Sequence, residues 1–534
     1  METKPCRILE PNLSVRQSFA CASSVSGIGS TPTGNPRVLS IVGAERSWLR
    51  PCASGIVAIA CASYYATWSL LLHRSYHSNG WDLGIIDQVV WNTAHGRWFE
   101  YSFRDVSYVG DHWQPILLLL VPLKWVSGGP ELLLVVQAAV LGAATIPLYF
   151  AARRLIGNEE GAWAVVAAYS LGLGVTRAVA FDLHAEAFVP LLVFTGLWTL
   201  ATERRGWFVA SSLAVLLVKE DGFLVVVSCA WVAAIAFDHR RPALFLVGTA
   251  VAYGAIVNIW LMPHYRGNDL NPLAERFGYL GGSIPEIAYS IFARPDLLVN
   301  QLASAGTFAA VLWLLLGVAL LPLAAPRLLP SLLLVTLPPL LSQQGPQSHL
   351  ELHYLLVPAT VALVIATLVM RNLAGSKAAG RLQPAAVALI TLAAVSLFMW
   401  RAPLPPSFAG EWDRFDIDQH ARASNSIVAM IPPGAAVSAQ SAFVPHLAER
   451  VRIYQFPRVV NARFVVTDKY GPIPANDLAA GYWPCLQALP RLGFDVIGQE
   501  DGISLWEKRR SASSVPNVPF FCSAQLLEGN SEPS

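Results

Sequence analysis

ELLLVVQAAVLGAATIPLYFAARR, residues 131–154, runs from Leu132 to Ala152 without a single charged side chain and then closes on Arg153-Arg154. About 20 such residues, rising 1.5 Å each, cover the roughly 30 Å hydrocarbon core of a bilayer. A basic pair directly after an apolar run marks a cytoplasmic end. This stretch therefore reads as a transmembrane helix with its exit inside.

The same pattern repeats outward in both directions. Apolar runs near 52–72, 131–152, 161–179, 187–202, 206–220, 223–237, 243–262, 305–325, 328–342, 354–370 and 384–400 predict an α-helical polytopic membrane protein of about 11 transmembrane helices. The segment 115–126, PILLLLVPLKWV, is short and Pro-interrupted, which suits an interfacial or re-entrant piece. Composition agrees: 54% of residues are hydrophobic and 13% charged, against about 25% charged in soluble proteins. A net charge of +2 with no basic stripe argues against a nucleic-acid partner. The seven cysteines include no C-x-x-C pair, which leaves zinc and iron–sulfur sites without support.

With the N-terminus placed in the cytoplasm, the inner loops hold Arg153, Arg154, Arg204, Arg205, Arg240, Arg241, Arg327, Arg371, Lys377 and Arg381, ten basic residues against the four acids Glu159, Glu160, Glu203 and Asp238. The bias satisfies the positive-inside rule along the whole chain. Arg177 and Lys219 fall near outer ends and are exceptions. The expected organisation is a disordered cytoplasmic arm over 1–48, a transmembrane domain over 49–401 with a long first outer loop at 73–114, an extracytoplasmic domain over 402–508 and a disordered tail over 509–534.

The outer side collects the ionisable groups. The first loop contains WDLGIIDQVVWNTAHG, in which Ile85, Ile86, Val89 and Val90 form one helical face. Asp82 precedes this helix, where a cap is favoured. Asp87, five residues later, lies about 140° around an ideal helix from it, so the two carboxylates do not share a face. Arg104, Asp111 and His112 follow in the same loop. Later outer turns bring Asp182, His184 and Glu186 in FDLHAEAF, the run Lys219-Glu220-Asp221, and His353-Tyr354 in HLELHY. Charge at membrane depth is costly and faces a cavity or a partner. Each feature has a plainer explanation: a cap at Asp82, a tight turn at 219–221, hydrogen-bonded structural histidines, and an interfacial belt made of Trp81, Trp91, Trp98 and Trp113. Their gathering on one side favours a single polar pocket.

Residues 402–508 return to soluble-like composition. Helix-like 413–431 and a helix-like piece near 441–448 alternate with short apolar runs at 435–439, 451–456, 463–468 and 494–498, which predicts a small α/β domain. A Cys485–Cys522 disulfide is open to that region only if it faces an oxidising compartment.

The phrases WDLGIIDQVVWNTAHG, GDHWQPILLLLVPL, FDLHAEAFVPLL, KEDGF, HYLLVPA and PPGAAVSAQSAFVPHLAERVRIYQFP, with the following VVTD, resemble the domain of unknown function 2079 family of predicted membrane proteins. The layout is in turn distantly similar to the GT-C superfamily of membrane glycosyltransferases. That resemblance implies a sugar taken from a polyprenyl-phosphate carrier in the cell (inner) membrane. It implies Asp82 as the catalytic base, with Asp87 and Asp111 as substitutes, and Arg104, His112, His184 and Lys219 near the departing phosphate. Asp111, Glu220 and Asp221 could instead hold Mg2+ or Mn2+, hard ions that prefer oxygen ligands. Asp182, Glu186, His353 and Tyr354 complete the expected substrate pocket. The competing classes are a transporter or flippase, whose ionisable groups would line a path at the midplane, and a non-catalytic envelope protein.

Overall fold

The computed structural model describes residues 36–104, 106–126, 128–267, 276–509 and 522, with backbone alone over 36–50. It divides into Met1–Pro51 and Cys52–Ser534. Most of the expected N-terminal arm, and nearly all of the expected tail, lie outside the described residues. Helical backbone begins at Pro36 and continues to Arg74.

Among the described residues six helices are long and apolar enough to cross a membrane: Pro51–Arg74, Glu131–Ile156, Glu159–Val179, Arg240–Arg266, Gly345–Ala374 and Ala379–Arg401. The pair Pro295–Leu302 and Ala305–Leu316, bent by 68°, brings the number to seven if it counts as one span. This is fewer than the eleven that hydropathy suggests. Four of the eleven form the shorter helices Ala185–Ala201, Arg205–Leu217, Gly222–Phe237 and Pro326–Leu340, each of 17 residues or fewer. At 1.5 Å per residue such a helix covers about 25 Å at most. Hydropathy registers apolar composition, whereas helix length is set by the breaks: Lys219 and Glu220 interrupt one pair, and Pro338-Pro339 lie inside the helix Leu329–Leu340.

The helix Leu356–Ala374 is the hub. All thirteen of its positions from Leu356 to Met370 other than Val357 and Ala359 are buried, around the full circumference, as expected of a helix apolar on all sides. It packs against Thr145–Ile156, Leu173–Val179, Phe188–Ala201, Leu329–Leu340 and Ala379–Arg401. Ala362 and Ala366 let those neighbours approach closely.

The C-terminal region forms a five-stranded sheet. Its strands are β1 Val437–Ala439, β2 Ile453–Gln455, β3 Phe464–Asp468, β4 Phe494–Glu500 and β5 Ile503–Lys508, in the order β2-β1-β3-β5-β4. β2, β1 and β3 run parallel, while β5 pairs antiparallel with β3 and β4. The parallel strands are buried along their whole length, as parallel strands covered on both faces are. Four of the five were expected; β5 was hidden because ISLWEK alternates for only six residues after a tight turn. The helix expected at 441–448 is two 3-10 turns, Ser441–Phe443 and Pro445–Leu447, because Pro445 removes a backbone donor between them. Cys485 and Cys522 are disulfide-bonded.

Candidate functional site

The first loop enters its helix through a wide turn at Gly80–Gly84, followed by the α-helix Ile85–Ala94. The cap is Asn79, whose side-chain oxygen accepts from Trp81 N at 3.0 Å. Asp82 therefore does not serve as the cap. Its carboxylate instead meets His184 Nε2 at 3.1 Å, and its side chain remains 24% exposed.

His184 sits between two acceptors. Its Nδ1 lies 3.0 Å from the Asp182 carbonyl, and its Nε2 faces the Asp82 carboxylate. A ring flanked by two acceptors must carry hydrogen on both nitrogens, which makes it an imidazolium. Burial disfavours that charge, yet the hydrogen bond and the field of Asp82 outweigh it and raise the His184 pKa. Its backbone N–H is anchored on Gln137 Oε1 at 3.0 Å. Asp182 is buried and accepts from Asn79 N at 2.6 Å. Burial first, and then the nearby Asp82, push its carboxyl up to about 7.

His353 stacks on His184 with ring centroids 3.5 Å apart, and Phe181 stacks beside both. The buried Glu186 lies 3.8 Å from His353 and is salt-bridged to Lys219. Tyr354 packs against His353 at 4.1 Å and receives a hydrogen bond from Gln347 at 3.3 Å. Next along the chain, Glu220 faces His112 at 3.1 Å and accepts from Trp113 N at 3.2 Å. Asp111 pairs with Arg104 at 3.4 Å and accepts from Tyr101 OH at 3.1 Å. Asp221 is exposed.

The junctions singled out in the sequence thus meet. Asp82, Asp182, His184, Glu186, Lys219 and His353 form one contact network. The consecutive residues Lys219-Glu220 and Asp111-His112 extend it to Arg104. Asp87 is separate. It is fully buried and salt-bridged to Lys124, whose ammonium also reaches Glu449 at 2.8 Å and the Gly129 carbonyl at 2.8 Å. Among the described residues no group of three or more His, Cys, Asp or Glu side chains could hold a metal ion. Asp111, Glu220 and Asp221 are accordingly not gathered as a ligand set; the first two are engaged by Arg104 and His112.

Sequence reasoning passed over Asn79, Gln137 and Lys124. Lys124 was the most legible, being the one charge in an otherwise apolar segment, and such a charge implies a buried partner. Beside the network lies an apolar crevice lined in part by Tyr169, Gly174, Trp313, Leu355, Leu356 and Leu363. Arg177, one turn beyond Gly174, donates to the Leu350 carbonyl at 3.0 Å. The guanidinium of Arg401 sits 4.7 Å from the centre of the Trp313 ring.

A family model described as "Predicted membrane protein (DUF2079)" matches residues 72–472 of this chain. Among solved structures, ArnT from Cupriavidus metallidurans bound to undecaprenyl phosphate is similar at a TM-score of 0.45 and 13% identity, over 86% of this chain and 99% of that one. No curated protein matches.

Proposed function

The chain belongs to this family of predicted membrane proteins, and from that premise we propose that it is a glycosyltransferase that moves a sugar from a polyprenyl-phosphate donor to an extracytoplasmic acceptor. The observation that carries the reading is the Asp82–His184 contact. Asp82, with 24% of its side chain exposed, is the most open carboxylate of a network in which Asp111 is 12% exposed and Asp182, Glu186 and Glu220 are buried. A general base must be accessible to its substrate and within hydrogen-bond reach of the proton it takes.

In this reading the acceptor hydroxyl gives its proton to Asp82 as its oxygen bonds to the anomeric carbon. The bond between that carbon and the donor's phosphate oxygen breaks, and the electron pair leaves with the polyprenyl phosphate. Lys219 and Arg104 supply positive charge to the departing group, and His112 a hydrogen-bond donor. Asp182, Glu186, Glu220, His353 and Tyr354 shape the sugar pocket around them. The apolar crevice near Arg177 and Arg401 supports the lipid half of the donor. All eleven apolar segments are taken as membrane-embedded, with the N-terminus cytoplasmic and the acids and the C-terminal domain outside. The Cys485–Cys522 disulfide supports that side, since disulfides persist in oxidising compartments.

The test is transfer by the reconstituted protein from polyprenyl-phosphate sugars. Asp82→Asn is expected to lower the rate by about 10²- to 10⁴-fold, the usual weight of a general base. A folded Asp82→Asn protein with undiminished transfer would remove Asp82 from the chemistry, and no transfer by the wild type from any such donor would remove the reading itself.

A further inference from the structure

In open α/β sheets, ligands settle outside the carboxyl ends of parallel strands, where the strand order reverses. That place in this sheet is beside β1, which has β2 on one flank and β3 on the other. Here it is filled by the protein's own first loop. Ser441, just beyond the end of β1, accepts from Gly80 N at 3.1 Å and donates to Asn79 Oδ1 at 3.0 Å. Gln455, the last residue of β2, directs its amide nitrogen to both carboxylate oxygens of Asp477, at 3.0 and 2.8 Å. Its amide oxygen lies where any Cβ on Gly80 would overlap it. A Cβ on Gly84 would come within 2.7 Å of Val444. Glycine at these positions is therefore required by close approach rather than by backbone angle.

The opposite side of the same segment is pinned as well, because Asn79 N donates to Asp182 Oδ2 at 2.6 Å. Further along, Gln88 Nε2 donates to the Arg450 and Val451 carbonyls at 3.0 and 3.2 Å, and Ile453 N donates to Ser102 Oγ at 2.9 Å. The turn that presents Asp82 is thus held between the sheet and the membrane-domain residue Asp182.

We propose that the C-terminal domain is a positioning element for Asp82 and that Ser441 is its positioning residue, through the hydroxyl's paired contacts with Asn79 and Gly80. This rests on the reading of Asp82 as the base. A ligand-binding crevice in an α/β domain has here become the seat of a loop that carries a reacting group. Displacement of a reacting group by about 1 Å is enough to cost on the order of 10²-fold in rate.

The experiment compares wild type with Ser441→Ala and Gly80→Ala in the full-length protein, by hydrogen–deuterium exchange over residues 80–84 and by transfer kinetics. Both variants are expected to exchange faster over 80–84 while residues 356–374 exchange as in wild type. Transfer by Ser441→Ala should lose about ten- to hundredfold in kcat with KM nearly unchanged, the signature of lost transition-state geometry. Unaltered exchange over 80–84 in both variants overturns the proposal, and so does faster exchange with full kcat. If the wild type transfers no sugar while both variants loosen 80–84, the clamp stands and the transfer reading alone fails.

Discussion

Asp82 and Asp87 stand five residues apart in one loop, and each lies within hydrogen-bond reach of a cationic partner. Asp87 is fully buried, and Lys124 binds it together with Glu449 and a backbone carbonyl. Asp82 keeps a quarter of its side chain exposed and faces a histidine whose other nitrogen is already engaged. The first arrangement matches charge to charge and excludes water, so it fastens the loop to the segment Val121–Trp125 and to the C-terminal domain. The second leaves a carboxylate open on one side, with further ionisable groups stacked behind it. The buried, matched pair anchors the loop, while the partly exposed carboxylate stays within reach of solvent.

The contrast can be broken from the structural side first. Lys124→Ala leaves Asp87 buried without its cation and is expected to cost about 3–5 kcal/mol, as breaking a buried pair does. Thermal unfolding in detergent would show it as a lowered midpoint, and an unchanged midpoint would mean the pair is not holding the loop. Replacing both partners, Asp87→Leu with Lys124→Met, should recover most of that loss, because the apolar pair avoids desolvating two charges. Asp82→Asn should show the reverse profile, with a midpoint within about 1 kcal/mol of wild type and the loss confined to transfer. Should Asp82→Asn instead unfold the protein while Lys124→Ala leaves it intact, the two assignments would exchange places.

How far these roles could be read in advance follows from the same pair. Their separation around the helix was legible, because 3.6-residue periodicity is local. Their partners were not: Lys124 lies 37 residues from Asp87 and His184 lies 102 from Asp82, and no local rule links such positions. The membrane class followed from long apolar runs, yet the span count did not, since helix ends depend on breaks such as Lys219-Glu220. In the C-terminal domain the buried strands β1 to β3 announced themselves as apolar runs. The half-exposed β5 did not, and neither did Ser441, whose role exists only once the first loop is folded onto the sheet.

The pH response sharpens the comparison at a smaller scale. Burial and the proximity of Asp82 raise the Asp182 carboxyl from an ordinary 3.8 to about 7. The folded state therefore holds that proton more tightly than the unfolded chain. The stability it contributes is full below the ordinary value and is lost as pH climbs toward about 7. Asp182→Asn keeps an acceptor for Asn79 N but cannot titrate, so it should flatten the decline in unfolding midpoint between about pH 4 and 7. A slope identical to that of the wild type would show that Asp182 does not hold a proton there.

His420 offers the mildest case and a control from beside the C-terminal sheet. Its Nε2 lies 2.8 Å from Asp468 and its Nδ1 2.9 Å from Asp501, so it too is a ring between two acceptors, as His184 is. Here the site is half-open. Burial is the largest single influence and works against the charge, but the hydrogen bonds and fields of Asp468 and Asp501 together outweigh it and raise the pKa above 6.5. The added stability is complete below 6.5 and disappears as pH rises through the raised value. Solvent screening keeps it small, on the order of a surface ion pair at 1 kcal/mol or less. His420→Gln should remove this dependence from the unfolding of the C-terminal domain and leave sugar transfer as in wild type. A fall in transfer with His420→Gln would mean that the contacts at Asp468 and Asp501, and not only those at Ser441, bear on Asp82.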